Sequence, residues 1–265
     1  MLVHIIADYG IGDLAFAEVV QRIEVHLRDA KFVLTPVPPF ATLAAGFCIA
    51  QLALNPAPPG SLVYHNIAPR QDDEDARTAN SGERLAFARL ATGVHVIGVN
   101  SGYTFSFLRD AAEELRWAAV AAEGSQFRSR DLFPQAAASI VLGKTDCLGE
   151  AIKQDDIPDV PDSQIAYIDG YGNLKTTVKA DPKRLRTKAI MAVTIGSHTE
   201  KAVISTDSFG VSVGQLAFAP GSSGWTVHGQ ETRWMELFLR GGNAWEAFGR
   251  PAIGTPIVLK PVKEA

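Results

Sequence analysis

The sequence predicts an α/β protein: an N-terminal α/β domain with a largely parallel sheet, followed by a smaller C-terminal β-barrel-like domain. Three observations predict it. In the first part of the chain, short apolar runs alternate with segments whose apolar residues recur at helical spacing, the pattern of strands joined by crossover helices. In the last part the helical spacing stops, and short apolar runs are separated by Gly, Pro and Ser, as in a small sheet or barrel. Between them residues 155–162 hold two prolines and four acids and read as a linker. The expected domains are therefore 1–157 and 164–265.

Each element follows from local sequence. Leu2–Ala7 is a buried first strand that ends at Asp8-Tyr9-Gly10-Ile11-Gly12-Asp13. A helix over 14–30 carries Phe16, Val19, Val20, Ile23 and Leu27 on one face, with Asp13 as a candidate N-cap. Residues 31–37 form a second strand, closed by Pro36, Pro38 and Pro39. A helix over 41–54 stops at the proline-rich run from Asn55 to Gly60. Residues 61–67 are a third strand, and the polar, acidic stretch 69–80 is an exposed loop. Residues 83–91 read as a short helix, 94–99 as a strand, and 110–122 and 130–142 as helices. Beyond the linker, Ile165–Ile168 and residues 189–195, 202–205, 215–219, 235–240 and 256–260 are short strands.

Composition narrows the function classes. The 265 residues are 46% hydrophobic and 20% charged, which supports a sizeable core and excludes a disordered chain. A net charge of −4 gives no electrostatic case for nucleic acid or an anionic membrane. Two cysteines argue against a disulfide framework or a Cys-rich zinc site, and the six histidines show no metal-ligand spacing. No metal is expected, and His65, in a strand pattern beside Asn66, reads as structural. The N-terminus is a poor signal peptide, and no run approaches the roughly 20 apolar residues of a membrane span. A cytoplasmic protein is the expectation. P-loop, GxGxxG and GxSxG motifs do not occur.

The stretch 165–178 is the most informative. An apolar run stops at Asp169, and the turn Gly170-Tyr171-Gly172-Asn173 gathers an acid, a ring and an amide. That is either a polar hairpin turn or a small-molecule site. In open α/β sheets ligands lie beyond the carboxyl ends of strands, where Asp8, Ala68 and Asn100 fall. A carboxylate there can accept both hydrogen bonds of a ribose diol. Asp8 and Asp13 can equally cap the first helix, and Asn100-Ser101-Gly102 is also ordinary turn chemistry. Gly241-Gly242-Asn243-Ala244 either brings main-chain groups against a ligand or turns the chain.

Five stretches, taken in order, resemble the S-adenosylmethionine hydroxide adenosyltransferases and their halogenating relatives, the fluorinase and chlorinase. Residues 7–13, ADYGIGD, resemble a TDFG-like motif followed by an acid. Pro58-Pro59-Gly60-Ser61 resembles a PxGT-like strand entry, and Val99-Asn100-Ser101-Gly102 a PDNG- or PNNG-like turn. Residues 127–133, FRSRDLF, resemble FHGRDIF or FYSRE, and residues 168–177 resemble IDxFGNxxTN, which opens the family's C-terminal domain.

The resemblance implies a homotrimer that binds S-adenosylmethionine between the N-terminal domain of one subunit and the C-terminal domain of the next. S-adenosylmethionine is then a substrate, with no separate cofactor, and attack at the ribose 5′ carbon by water gives adenosine and methionine. On this resemblance Asp8 holds the ribose diol, and Asp13, Asp169 and Ser222 or Ser223 hold the amino-acid end. Tyr171 and Phe209 sandwich the adenine, Asn173 and the backbone near Asn243-Ala244 read its edge, and Asn100 joins the ligand-binding set. Phe127 and Ser129 line the pocket at the 5′ carbon, with Ser129 and Arg128 as the candidate catalytic pair. The chain also departs from the pattern. Ala68 stands where hydroxide users carry Asp, Arg128 where they carry His, and Thr177 where the family has Asn; Arg77 follows an acidic run that shifts its register. Ser129 resembles the halide-contacting serine of the fluorinase. The alternatives are a halide-using transferase and a catalytically silent nucleoside or S-adenosylmethionine binding protein.

Overall fold

Strand β1 (Leu2–Ala7) forms the middle of the parallel part of a seven-stranded sheet, and its carboxyl end positions the first candidate site. The structure, a computed structural model, describes residues 1–67, 82–121, 123–181, 187–207 and 209–262. The chain divides into two units, Met1–Asp159 and Val160–Ala265. In the first, β1 is followed by α1 (Leu14–His26), β2 (Lys31–Pro36), α2 (Thr42–Ala53), β3 (Leu62–Asn66), β4 (Leu85–Leu90) and β5 (His95–Val99). Then come β6 (Ala112–Ala118), α3 (Arg128–Asp131), α4 (Phe133–Val141) and β7 (Leu148–Ala151). The sheet order is β2-β1-β3-β5-β4-β6-β7.

This sheet is mixed, which corrects the expectation of a largely parallel one. Strands β2, β1, β3 and β5 are parallel, but β4 runs antiparallel to both β5 and β6, and β7 antiparallel to β6. The two segments expected as helices, 83–91 and 110–122, contain β4 and β6. β4 is covered on both faces, so Leu85, Ala86, Phe87 and Ala88 are all buried and show no alternation. Such a run has the composition of a buried helix as much as of a strand. β6 is rich in helix formers, yet it pairs with β4 on one side and β7 on the other, and that pairing outweighs propensity. β4 turns directly into β5 at Gly93 (φ 77°), with the Leu90 amide donating to the Val94 carbonyl at 3.1 Å, and a tight hairpin can join only antiparallel strands.

Helix α1 packs Phe16, Val19 and Ile23 against Val3, Ile5 and Ala7 of β1 and Leu62 and Tyr64 of β3, with Ala137 and Ile140 of α4 in the same core. Burying each such aliphatic side chain contributes about 1.5–3 kcal/mol. α2 packs on β1, β3 and β5 with a set of buried residues outside that core. α1 is shorter than the expected 14–30: it ends at His26, and Asp29 adopts φ 62°. The helix expected over 130–142 is two pieces, because Pro134 opens α4 and has no N–H to continue the preceding turn.

The second unit contains β8 (Ile165–Ile168), β9 (Leu174–Lys179), β10 (Ile190–Ile195), β11 (His198–Ile204), β12 (Leu216–Val227), β13 (Gln230–Leu239), α5 (Ala244–Ala247) and β14 (Ile257–Pro261). Its sheet runs β14-β10-β11-β12-β13-β9-β8, and the two outer strands approach each other at a bridge between Gln164 and Pro256. The sheet is thus curled into a half-barrel around Ile165, Leu174, Val193, Phe218, Leu237 and Phe248. β12 continues beyond Pro220, where a strand end was expected: Pro220 pairs with Met235, the next three residues bulge, and pairing resumes at Gly224 with Arg233. Among the described residues no helix is long and apolar enough to cross a membrane.

Candidate functional site

At the carboxyl edge of β1 and β3, polar groups distant in sequence converge on Tyr9. Its phenolic oxygen lies 2.7 Å from Ser129 Oγ and also hydrogen-bonds the Asn66 side chain. Tyr64, fully buried in β3, donates its hydroxyl to the Ser129 carbonyl. Ser129 is therefore held at both its backbone and its side chain. The Tyr9 ring packs edge-on against Phe16 and Phe127, with centroids 5.1 and 5.8 Å away. Burial pushes the Tyr9 hydroxyl above the ordinary phenol range, and the nearby Asp8 and Asp13 carboxylates act in the same direction, against the bonds to Ser129 and Asn66. The phenol stays protonated, as a donor and acceptor rather than a base.

The structure thus gathers Asp8, Asp13, Phe127 and Ser129 around one residue, Tyr9, that sequence reasoning did not assign. The available signal was the hydroxyl itself: a tyrosine stands here where the TDFG-like motif has a ring without one. Asp8 is half-buried, and its Oδ2 accepts the Phe40 amide at 3.1 Å. Asp13 is the N-cap of α1, accepting from the Ala15 amide at 2.8 Å.

Two other residues assigned to this region bond backbone carbonyls. Arg128 donates from Nη1 to the Glu83 carbonyl at 3.0 Å, and its guanidinium lies 5.3 Å from the Phe133 ring centroid. A β-carbon on Gly82 would stand 2.1 Å from Arg128 Nη2, so glycine is what lets the guanidinium lie there. Asn100 donates from Nδ2 to the Asp156 carbonyl at 3.0 Å, while its Oδ1 is buried without a hydrogen-bond partner among the described residues. Ala68 and Arg77 lie outside the described residues.

His65 is fully buried, with its ring against Gly98 and 5.0 Å from Phe105. Among the described residues neither ring nitrogen has a hydrogen-bond partner, and burial pushes its pKa down to about 3.

In the second unit Asp169 organises the turn between β8 and β9. Its Oδ1 accepts the amides of Tyr171 and Asn173 at 2.9 and 3.1 Å, and its Oδ2 accepts Asn173 Nδ2 at 3.0 Å. Asn173 is buried by this bond, whereas the Tyr171 ring is left 82% exposed. Gly172 (φ 79°) lies against the Asn243 side chain, and its carbonyl accepts the Trp245 amide at 2.8 Å. Asn243 caps α5 through the Glu246 amide at 2.9 Å, and Ala244 is buried in the core. Asp169, Tyr171, Asn173, Asn243 and Ala244 therefore form one cluster.

Phe209 belongs to a neighbouring loop that is pinned by its backbone. Its amide donates to Asp207 Oδ1 at 2.8 Å, and Arg240 donates to the carbonyls of Phe209 and Val211. Its ring is 70% exposed and touches Phe238 edge-on at 5.5 Å. Ser222 is exposed and Ser223 buried on the irregular stretch of β12. Lys175 connects that stretch to the Asp169 turn: its Nζ lies 2.9 Å from Glu236 Oε2 and 3.8 Å from Asp169 Oδ2, and Glu236 packs against Gly221.

No protein-family model and no curated protein matches the chain. Solved structures share the fold. The chain is similar to an uncharacterized conserved protein from Thermotoga maritima, with a TM-score of 0.75 at 15% identity, covering 97% of this chain and 99% of that one. It is also similar to a conserved hypothetical protein from Thermus thermophilus, with a TM-score of 0.65 at 20% identity over 97% of this chain and 99% of that one. At these identities the likeness is one of fold.

Proposed function

We propose that the protein transfers the adenosyl group of S-adenosylmethionine to water, giving adenosine and L-methionine. The observation that carries this reading is the convergence of the Asp8 carboxylate with the Tyr9–Ser129 hydroxyl pair at the carboxyl edge of β1 and β3. Asp8 suits a ribose diol, and a pair of hydroxyls beside it suits the oxygen that enters at the ribose 5′ carbon. The oxygen of water attacks that carbon, the carbon–sulfur bond breaks, and its electron pair neutralises the sulfonium as the methionine thioether. The proton of the attacking water passes to solvent. Because a sulfonium already leaves well, alignment and partial desolvation carry the rate, and no dedicated base is required. The exposed rings of Tyr171 and Phe209 are apolar faces suited to adenine, and the Asp169 turn and Ser222 suit the amino-acid end. The five motifs in order support the same assignment. The reading includes a homotrimer that shares its sites between subunits.

One observation favours a second reading, a nucleoside-binding protein without turnover. The Arg128 guanidinium, one of the two expected catalytic groups, donates to the Glu83 carbonyl beside Gly82, and an arginine cannot serve as a general base. Incubating the protein with S-adenosylmethionine and separating the products decides between them. Adenosine and methionine in equal amounts support hydrolysis, a 5′-halogenated nucleoside that needs added halide points to the halide route, and bound but unchanged ligand leaves the binder.

A further inference from the structure

Ser129 is held in an unusual way for a serine at a sheet edge. It is 2% exposed, its carbonyl is gripped by Tyr64 and its Oγ by Tyr9, a residue 120 positions away. A serine hydroxyl ordinarily rotates to suit its surroundings and can offer either its proton or a lone pair. Tyr9 removes that freedom. Its hydroxyl is held protonated by burial, and its oxygen is further engaged by the Asn66 side chain. The two oxygens are 2.7 Å apart and either hydroxyl can donate; a phenol is the more acidic of the two and an alcohol oxygen the better acceptor, so Tyr9 is the one suited to donate. Once Tyr9 donates to Oγ, the Ser129 proton is the one left in the pair to be directed at a ligand.

We propose that Tyr9 is a positioning residue that turns the Ser129 hydroxyl into a fixed hydrogen-bond donor to an oxygen at the ribose 5′ carbon, the oxygen that adenosine carries there and that enters opposite the sulfonium of S-adenosylmethionine. The inference rests on the nucleoside site proposed above, and it assigns to Tyr9 and Asn66 a role at the 5′ position. Asn66 acts through Tyr9, and Tyr9 acts through Ser129; only Ser129 touches the ligand. The Tyr9 ring is positioned by Phe16 and Phe127, so removing its hydroxyl alone leaves that packing in place.

The test is calorimetric titration of the full chain and of Tyr9→Phe, Ser129→Ala and the double variant, each with adenosine and with 5′-deoxyadenosine. The wild type is expected to bind adenosine about tenfold more tightly than 5′-deoxyadenosine, the size of one well-made buried hydrogen bond. Tyr9→Phe and Ser129→Ala should each reduce that preference to about twofold, and the double variant should lose no more than Ser129→Ala alone. Affinity for 5′-deoxyadenosine should stay within about twofold in all four proteins, which loss of local structure would not leave intact. A Tyr9→Phe protein that keeps the full preference overturns the proposal and leaves the nucleoside site standing, as does a wild type that binds both nucleosides equally. Failure to bind either nucleoside overturns both. The expected preference without product from S-adenosylmethionine supports the positioning role and removes hydrolysis alone.

Discussion

Gly172 and Asn243 lie so close that a β-carbon on the glycine would stand 2.0 Å from the asparagine Oδ1. The contact joins the Asp169 turn to the start of α5, and Gly172 also needs φ 79°, which side-chain-bearing residues rarely adopt. Gly172→Ala is therefore expected to destabilise the second unit by about 1–3 kcal/mol. Combining it with Asn243→Ala should recover the steric part and leave the backbone part, together with about 1 kcal/mol for the lost helix cap. Urea unfolding of the three variants checks this, and a Gly172→Ala protein as stable as wild type would mean that the turn is not packed as described.

Asp8 supplies the second prediction. One of its oxygens accepts the Phe40 amide, so the charged form is already held in place at the end of β1. Asp8→Asn removes the charge and half of the acceptor capacity with little change of shape. Adenosine affinity measured by calorimetry is expected to fall about tenfold. Unchanged affinity would take Asp8 out of the ribose site.

Much of the first sheet was legible because β1, β2, β3 and β5 are apolar runs bounded by Gly, Pro and Asp, and α1 and α2 have clear helical spacing. β4 and β6 were not, for opposite reasons. Leu85–Leu90 is buried on both faces and loses its alternation, while Ala112–Ala118 carries helix formers that its neighbours force into a strand. At the site, the sequence named Asp8, Phe127 and Ser129 separately. The Tyr9 hydroxyl stood out against the TDFG-like motif, but its partner did not, because that bond spans 120 residues and depends on the fold bringing the turn after β1 beside α3. Arg128 was read for its charge, whereas its direction is set by the space above Gly82.

Tyr171 and Phe209 should separate binding from stability. Their rings are 82% and 70% exposed, so Tyr171→Ala and Phe209→Ala remove little buried surface. Stacking of a base on an aromatic ring contributes about 1–3 kcal/mol, so each change should weaken adenosine binding about fivefold or more. Melting temperatures should stay close to wild type. A loss of stability without loss of affinity would assign these rings to packing instead.

Arg128 gives a prediction of the opposite kind. Its guanidinium bonds the Glu83 carbonyl and lies against Phe133, so Arg128→Ala should leave that carbonyl short of a donor and cost about 1–3 kcal/mol in unfolding free energy. Adenosine affinity should change by less than about twofold, since the guanidinium is directed to Glu83. If affinity collapses while stability holds, Arg128 addresses the ligand directly, and its contact with Glu83 is secondary.

His65 makes stability depend on pH in a stated window. Its pKa is about 3 in the folded protein against 6.5 ordinarily, because burial disfavours the charged ring. Between those values the unfolded chain binds a proton that the folded chain does not, so stability rises with pH. Above about 6.5 both states are neutral there and the contribution is complete; it is lost as pH falls towards 3. One proton corresponds to a slope of about 1.4 kcal/mol per pH unit within the window. Carboxylates titrate in the same range, so the informative quantity is the difference between wild type and His65→Leu. The leucine fills a similar space against Gly98 and Phe105 without a ring nitrogen to desolvate. It is expected to match or exceed wild-type stability at pH 7, since it no longer buries polar atoms that lack partners. Its unfolding free energy, measured in urea from pH 7.5 to pH 4, should fall less steeply by about one proton's slope. Parallel curves for the two proteins would show that His65 takes up its proton alike in the folded and unfolded states, and the buried, unpartnered ring that resists protonation would have to be given up.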